Sequence, residues 1–376
     1  MMGEYKICKR CIMDTTSDPN LVLDENGVCN YCHDFDAVAK KMAYKRKQGT
    51  KYLESVFNKI KEDGKGKEYD CLLGISGGVD SSYLAYLAKQ YGLRVLAVHV
   101  DAGWNSELAV QNIESMCSKL GYDLHTVVID WPTMKELQRA YMFSGMAKVD
   151  VPQDHCFVAA TNQMIKKFHT KYVLRGDNYA TEGILSKAYQ YPAGDWINIK
   201  GIYKQCGRGK ISLKKYPHEN FFKRYISIGE WKSVSIVKPL NYIDYSKKMA
   251  IETLEREFGW KYYGGKHYES RFTKFFQETY LPQRYGWDKR RDHISSLIVG
   301  GEMTREEGLR EMAMSPSTEQ DMEEEKDYVL KKLDITEEEW KKILTLPYKT
   351  EKDYPNSENL YQFCRKVKHI FIKGKS

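Results

Sequence analysis

The chain has 376 residues, 42% hydrophobic and 29% charged, with 59 Lys and Arg against 51 Asp and Glu for a net charge of +8. That balance describes a folded chain of two or three domains and excludes a disordered or collagen-like one. No run nears the ~18 apolar residues of a membrane span, and residues 1–6 lack the apolar core of a signal peptide, so a cytoplasmic protein is expected.

The positive balance suits an anionic ligand: ATP, a nucleotide-sugar or nucleic acid. Short clusters such as Lys40-Lys41 and Lys45-Arg46-Lys47 read as solvated surface rather than as a nucleic-acid stripe. Nine cysteines in a cytoplasmic chain do not make a disulfide framework.

Four of the nine lie within the first 32 residues, as Cys8-Lys9-Arg10-Cys11 and Cys29-Asn30-Tyr31-Cys32, with seventeen residues between the pairs. Two residues between thiolates put both sulfurs on one side of a tight turn, and two such turns complete a tetrahedral S₄ cage. Residues 15–20 and 24–27 carry the turn chemistry of a hairpin between them. So small a segment gains its folding energy from metal. A structural zinc ion is expected, with a redox pair or an iron–sulfur cluster as alternatives, and His33 is a bystander. Leu53, Val56, Phe57 and Ile60 then recur at helical spacing, predicting one or two helices over residues 35–66.

From Tyr69 the pattern alternates. Apolar runs at 71–75, 95–100, 125–129, 172–174 and 234–237 read as strands, and 107–120 and 134–143 read as helices. Repeated βα units predict an α/β fold, a doubly wound parallel sheet with its ligand at the carboxyl ends of the strands. The first run ends in Ser76-Gly77-Gly78-Val79-Asp80-Ser81-Ser82. Its paired glycines let backbone N–H groups converge into a nest for phosphate oxygens. The following helix aims its positive end at the same point. Asp80, at the helix start, stands where a magnesium ion would need a carboxylate. The alternative is a tight strand-to-helix turn without a ligand.

His99 sits inside an apolar run and reads as a packed strand residue. Asp154-His155-Cys156 opens a helix, with Asp154 as its N-cap and Cys156 as a buried thiol in preference to a sulfur-transfer nucleophile. Residues 184–232 are too long for a simple connection and read as a lid or partner surface. Within them, Cys206–Lys210 is a phosphate clamp or a mobile tip. Helices are expected at 249–258, 271–280, 291–297 and 305–312, the last opened by a capping box at Thr304 and Glu307. The mixed aromatic and basic stretches 266–277 and 288–293 suit a sugar or nucleotide edge or plain surface. Residues 353–363 and the Lys-rich tail read as peripheral. The expected division is 1–68 for the Cys₄ module and linking helix, 69–245 for the nucleotide domain, and 246–376 for a helical substrate or partner region.

Ser76–Ser82 resembles the signature of the PP-loop ATP pyrophosphatases, which adenylate a carbonyl or carboxyl oxygen and release pyrophosphate. No Gly-Lys-Ser/Thr of a Walker loop follows. The resemblance implies a sheet of the adenine-nucleotide α-hydrolase type, with ATP on Ser76–Ser82 and adenine near Val100 and Asp101. Arg175-Gly176-Asp177-Asn178, followed by Glu182, is similar to the acidic loop of amidating PP-loop enzymes such as NAD synthetase. By that likeness Gly176 and Asp177 approach the phosphates, and Asp80 and Glu182 hold magnesium. Read without it, the same run is a polar loop with an Asx turn. Val237-Lys238-Pro239-Leu240 likewise implies that Lys238 neutralises charge as pyrophosphate leaves, in place of a plain surface lysine.

Taken with Thr273–Gln277 and Asp288–His293, the set resembles the N-acetyl sugar amidotransferase family of bacterial surface-polysaccharide (LPS O-antigen) biosynthesis. That resemblance implies conversion of a sugar acetamido group to an acetamidino group, with a nucleotide- or lipid-linked acetamido sugar as substrate. No glutaminase elbow or N-terminal nucleophile is evident: the residues two before and two after Cys206 are Lys204 and Arg208 where an elbow needs glycines. Ammonia is therefore expected from a separate glutaminase and a channelling subunit, similar to the pair in imidazole glycerol phosphate synthase, and no nucleic-acid partner is favoured. The rival reading is a PP-loop tRNA thiolase or lysidine synthetase. A zinc-ribbon module on a dead nucleotide fold is a third, against which the intact Ser76, Gly77, Gly78 and Asp80 argue.

Overall fold

Five short strands lie parallel in the order β3-β2-β1-β4-β5: β1 Cys71–Gly74, β2 Val95–Asp101, β3 Asp123–Val128, β4 Tyr172–Leu174 and β5 Ser235–Val237. The computed structural model describes residues 4–47, 49–189, 193–221, 234–265 and 268–373, and the side chains of 43–47, 189 and 367–373 are not among what it describes. Lys45-Arg46-Lys47, Lys266-His267, the end of the 184–232 insertion and the last residues of the tail therefore lie outside the described side chains.

Alternation along β1 fixes which helices cover which face. Leu73 packs with Leu53, Phe57 and Ile60 of the sequence-predicted helical stretch, while its neighbour Leu72 packs with Met164, Ile165 and Val173. Successive strand side chains point to opposite faces, so one face receives α2 (Gly49–Asp63), α3 (Val79–Gln90), α4 (Glu107–Leu120) and later α9 (Lys247–Phe258). The other face receives α6 (Val151–Lys167). Before α2 runs α1 (Asn30–Lys47), and between α4 and α6 lies α5 (Trp131–Met142). Each fully buried Leu, Ile or Phe of these faces contributes roughly 1.5–3 kcal/mol.

The helix ends follow local chemistry. Ser106 caps α4 by accepting the Ala109 N–H at 3.2 Å, and Gly121 closes it at φ 64°. The expected helix at 154 begins earlier, at Val151, because Pro152 suits a first turn and Asp150 is the flanking residue. Asp154 is thus inside the first turn rather than the N-cap, and pairs with Lys148 at 3.0 Å.

The chain leaves β4 through a short α7 (Tyr179–Glu182) and α8 (Trp196–Cys206). After α9 come α10 (Arg271–Phe275), a π-helical turn at Phe276–Tyr280, α11 (Leu281–Tyr285), α12 (Arg290–Gly300), α13 (Arg305–Ala313), α14 (Glu319–Lys332), α15 (Glu337–Thr345) and α16 (Glu358–Lys373). One apolar cluster joins Trp104, Tyr141 and Cys156 to Phe272, Tyr280, Leu330 and Trp340, so the later helices share a core with the sheet side. Cys156 is fully buried there, and burial raises its thiol well above the ordinary range. Arg208, within the candidate phosphate clamp, is instead an internal staple: its Nε donates to Glu136 Oε1 at 2.9 Å. No described helix is long and apolar enough to cross a membrane.

Candidate functional site

The strand order reverses direction between β1 and β4, and in open α/β sheets ligands bind in the crevice at such a switch point. A cleft of about 1150 Å³ opens there. Gly74 and Ser76 enter it from the end of β1, and Leu174, Arg175, Gly176 and Asp177 from the end of β4. The phosphate-nest candidates Gly78, Val79, Asp80 and Ser81 line it too, as does Glu182. Gly77, the buried Ser82, Val100, Asp101 and Lys238 are not among its lining residues. Asp101 ends β2, where its carboxylate accepts the Gly103 N–H at 2.7 Å.

The loop is held by itself and by distant residues. Ser76 N–H donates to Ser81 Oγ at 3.3 Å, Gly78 N–H to Ser76 Oγ at 3.3 Å, and Trp260 Nε1–H to the Gly77 carbonyl at 3.0 Å. Val79 N–H, one of the donors a phosphate would use, donates to the Tyr263 hydroxyl oxygen at 3.3 Å. The Tyr245 hydroxyl donates to Asp80 Oδ1. Burial, then the nearby Asp80 carboxylate, raises the Tyr245 hydroxyl well above the phenol range, and burial followed by Glu269 does the same for Tyr263. Both hydroxyls stay protonated across the working range. His99, on β2 beside β1, donates from Nδ1 to the Ile75 carbonyl at 3.0 Å, and burial lowers its pKa, keeping it neutral and structural.

The loop after β4 lies directly against the nest. A Cβ on Gly176 would come within 2.9 Å of the Asp80 carbonyl carbon and 3.0 Å of Ser81 N, so only glycine lets the two loops meet. Asp177 pairs with Arg175 Nε at 2.8 Å and with Lys238. Lys238 therefore reaches the cleft wall through a carboxylate that does line it. Asn178 caps α7 by accepting the Thr181 N–H at 3.0 Å, which makes this run an Asx-type cap and the carrier of Glu182 at once.

An apolar wall faces these polar groups, made by Phe157, Val158 and Ile165 of α6 with Val173, Val234 and Ile236. The rim is closed by Glu269 and by Ser357, Glu358 and Tyr361. Residues 353–363 are thus partly in the cleft, not peripheral, because α16 begins beside it. Tyr245, Trp260 and Tyr263 carry no motif of their own, and the aromatic run Trp260–Tyr263 before Gly264-Gly265 is the local signal that could have marked the latter two; Glu269 falls within the 266–277 stretch read as a sugar or nucleotide edge or plain surface.

Four cysteines that are not among the cleft's lining residues meet elsewhere. Cys8, Cys11, Cys29 and Cys32 are fully buried, and their sulfurs all lie within 4.8 Å of one another. Cys8 Sγ and Cys32 Sγ are 3.9 Å apart, Cys11 Sγ and Cys29 Sγ 3.7 Å. A tetrahedron with Zn–S bonds of 2.3 Å has edges of about 3.8 Å, so this donor set fits a zinc-sized ion. Cys8 Sγ also accepts from Cys29 N at 3.3 Å and Arg10 N at 3.4 Å, as a thiolate would. His33 points away, to Asp24 Oδ2 at 2.9 Å.

Residues 70–188 match the model of the queuosine biosynthesis protein QueC, and residues 269–368 match that of the LPS biosynthesis protein WbpG-like C-terminal domain. A tRNA(Ile)-lysidine synthase of Chlamydia pneumoniae is 38% identical over 90 residues, covering 21% of this chain and 28% of that protein. A glutamine-dependent NAD(+) synthetase of Aquifex aeolicus is 26% identical over 168 residues, covering 41% of this chain and 29% of that protein. The chain thus spans less than a third of the length of these curated relatives. Among solved structures, NMN synthetase from Francisella tularensis is 13% identical with a TM-score of 0.37, covering 69% of this chain and 95% of its own. The U34-tRNA thiolase NcsA from Methanococcus maripaludis, with its [4Fe-4S] cluster, is 15% identical at 0.31, covering 80% and 88%. The two matched segments and the parallel sheet, rather than those distant likenesses, support a WbpG-like family of PP-loop proteins.

Proposed function

We propose that this chain is an ATP-dependent N-acetyl sugar amidotransferase, which turns a sugar acetamido group into an acetamidino group and releases AMP and pyrophosphate. The observation that carries the reading is that both matched segments line one cleft. Ser76, Gly78, Val79, Asp80, Ser81, Asp177 and Glu182 come from the QueC-like segment, and Glu269, Ser357, Glu358 and Tyr361 from the WbpG-like one. A nucleotide-splitting loop and the substrate side of a polysaccharide-biosynthesis protein then act on the same bound molecules.

An amide carbonyl is a poor electrophile and its oxygen a poor leaving group. In the proposed reaction the amide oxygen attacks the α-phosphorus of ATP and pyrophosphate departs, giving an adenylated imidate. Ammonia adds at the imidate carbon, AMP leaves with the oxygen, and the nitrogen keeps its proton as an amidinium. The Gly78 and Val79 N–H groups, freed from Ser76 and Tyr263, bind the departing phosphates as charge grows on them. Asp80 and Glu182 would hold magnesium, which when bound screens the triphosphate. Lys238, paired with Asp177, adds a fixed positive charge at the cleft wall. The apolar wall excludes water from the adenylate. Ammonia comes from a separate glutaminase, and the sugar arrives nucleotide- or lipid-linked.

The tRNA reading draws on the lysidine synthase likeness over 90 residues. One assay separates the two: ATP, magnesium and ammonium are supplied with either a UDP-linked diacetamido sugar or tRNA, and pyrophosphate is followed. Sugar-dependent release is expected, and Asp80→Asn should lower it about 10²–10³-fold with the fold intact. Release that needs tRNA, or no release with either, overturns the sugar assignment.

A further inference from the structure

The short helix that carries Glu182 is gripped from two sides, and one of them is the Cys₄ module. Phe35, three residues after Cys32 on α1, stacks on Tyr179 with ring centroids 4.5 Å apart and 28° between planes. The Tyr179 hydroxyl donates to the Phe35 carbonyl at 2.5 Å. Tyr31, between Cys29 and Cys32, accepts the Lys187 N–H on its hydroxyl at 3.0 Å. Ile184 is fully buried in the same apolar cluster as the four cysteines. From the opposite side, α12 supplies Ser296 Oγ to the Ile184 N–H at 2.9 Å and Asp292 Oδ2 to the Ser186 N–H at 3.0 Å.

Gly183, next to Glu182, shows how close the grip is. A Cβ there would lie 2.6 Å from Phe35 Cδ2 and Cε2, although its φ of −74° and ψ of −22° suit any residue. The glycine is required by the ring and by the Tyr179 carbonyl oxygen, which would also lie 2.6 Å away, and not by its own φ and ψ.

We propose that Phe35 is a positioning residue, through which the metal-bearing Cys₄ module holds residues 179–187 and so sets Glu182 at the cleft. This rests on the role given to Glu182 above. The module is then part of how the site binds magnesium, and its occupancy is felt about as far away as the acidic loop. Outer-shell partners of this kind commonly change metal affinity or activity about 10–100-fold when removed.

The test uses the full holo-protein. Phe35→Ala should keep its cysteine-bound metal, measured per chain, while amide exchange at Ile184 and Lys187 speeds up about tenfold and the magnesium needed for half-maximal pyrophosphate release rises about tenfold. Saturating magnesium should restore most of the rate, and Phe35→Tyr, which keeps the ring, should behave as the parent. If Phe35→Ala sheds metal or misfolds, Gly183→Ala gives the same readings from the other side of the contact. Unchanged exchange at Ile184 and Lys187 in both variants overturns the proposal. Glu182→Gln run alongside keeps the two ideas apart: if it leaves the magnesium requirement unchanged while Phe35→Ala still speeds exchange, Glu182 loses its role and the positioning contact stands.

Discussion

Asp80 is the one carboxylate of the nest, and a tyrosine from 165 residues away donates to it. Tyr245 is buried and its hydroxyl holds Oδ1, which fixes one oxygen of a carboxylate that lines the cleft. Tyr245→Phe should therefore lower ATP-dependent pyrophosphate release about tenfold, or ~1.4 kcal/mol, the lower end of what a hydrogen bond to a charged group contributes. The fold should survive, as judged by an unchanged near-UV spectrum; an unaltered rate would show that Asp80 needs no such anchor. Ser76–Ser82 and the paired cysteines were legible because their chemistry is written in adjacent positions at fixed spacing. Tyr245 and Tyr263 were not, since they reach the nest by tertiary packing and each is, in its own neighbourhood, an ordinary residue.

At the scale of elements, helical periodicity over 271–280 reads through a break it does not reveal. Pro282 has no N–H to give the Glu278 carbonyl four residues back, and the ladder widens before it: Leu281 N–H donates to the Phe276 carbonyl, five residues apart. The widened turn leaves Gln277, Glu278 and Thr279 buried in succession. Burial pushes the Glu278 carboxyl up to about 7, against the Ser317 hydroxyl, which donates to it at 2.9 Å. Its pKa is raised above the ordinary 4.5, so folding favours the protonated form. Stability from this group is full below about 4.5, lost as pH rises toward 7, and flat beyond. Glu278→Gln should remove that component, so that its melting temperature exceeds the parent's at pH 8 and the gap closes by pH 4.5. A gap independent of pH would place the strain elsewhere. The strand set was legible for the converse reason: β-branched apolar runs between turns leave little choice, and β4 falls on residues 172–174 as read.

Over the whole molecule, two arginines from the helical region close on the Cys₄ module. Arg305 donates from Nε to the Cys11 carbonyl at 3.0 Å and from Nη2 to the Cys8 carbonyl at 3.0 Å. Arg291 donates from Nη1 to the Ile12 carbonyl at 2.8 Å and pairs with Asp14 at 2.9 Å. In the sequence 288–293 reads as a sugar or nucleotide edge or plain surface and Arg305 only as part of a capping box, because nothing in a one-dimensional pattern says that an inward-turned carbonyl of a Cys-x-x-Cys turn will meet them. Arg305→Ala should cost about 1.5–3 kcal/mol and speed the release of bound metal to a chelating dye, with the thiol count unchanged. Equal release rates would mean that the cage stands without its brace.

The same clasp sets an order of events during synthesis. Cys8 and the arginine that grips its carbonyl are 297 positions apart. At roughly 5–20 residues per second, Cys8 is made about 15–60 s before Arg305. The module's four thiols must be kept reduced and their metal acquired with the clasping face still bare, so loss of metal in that interval is where this protein is most exposed to misassembly.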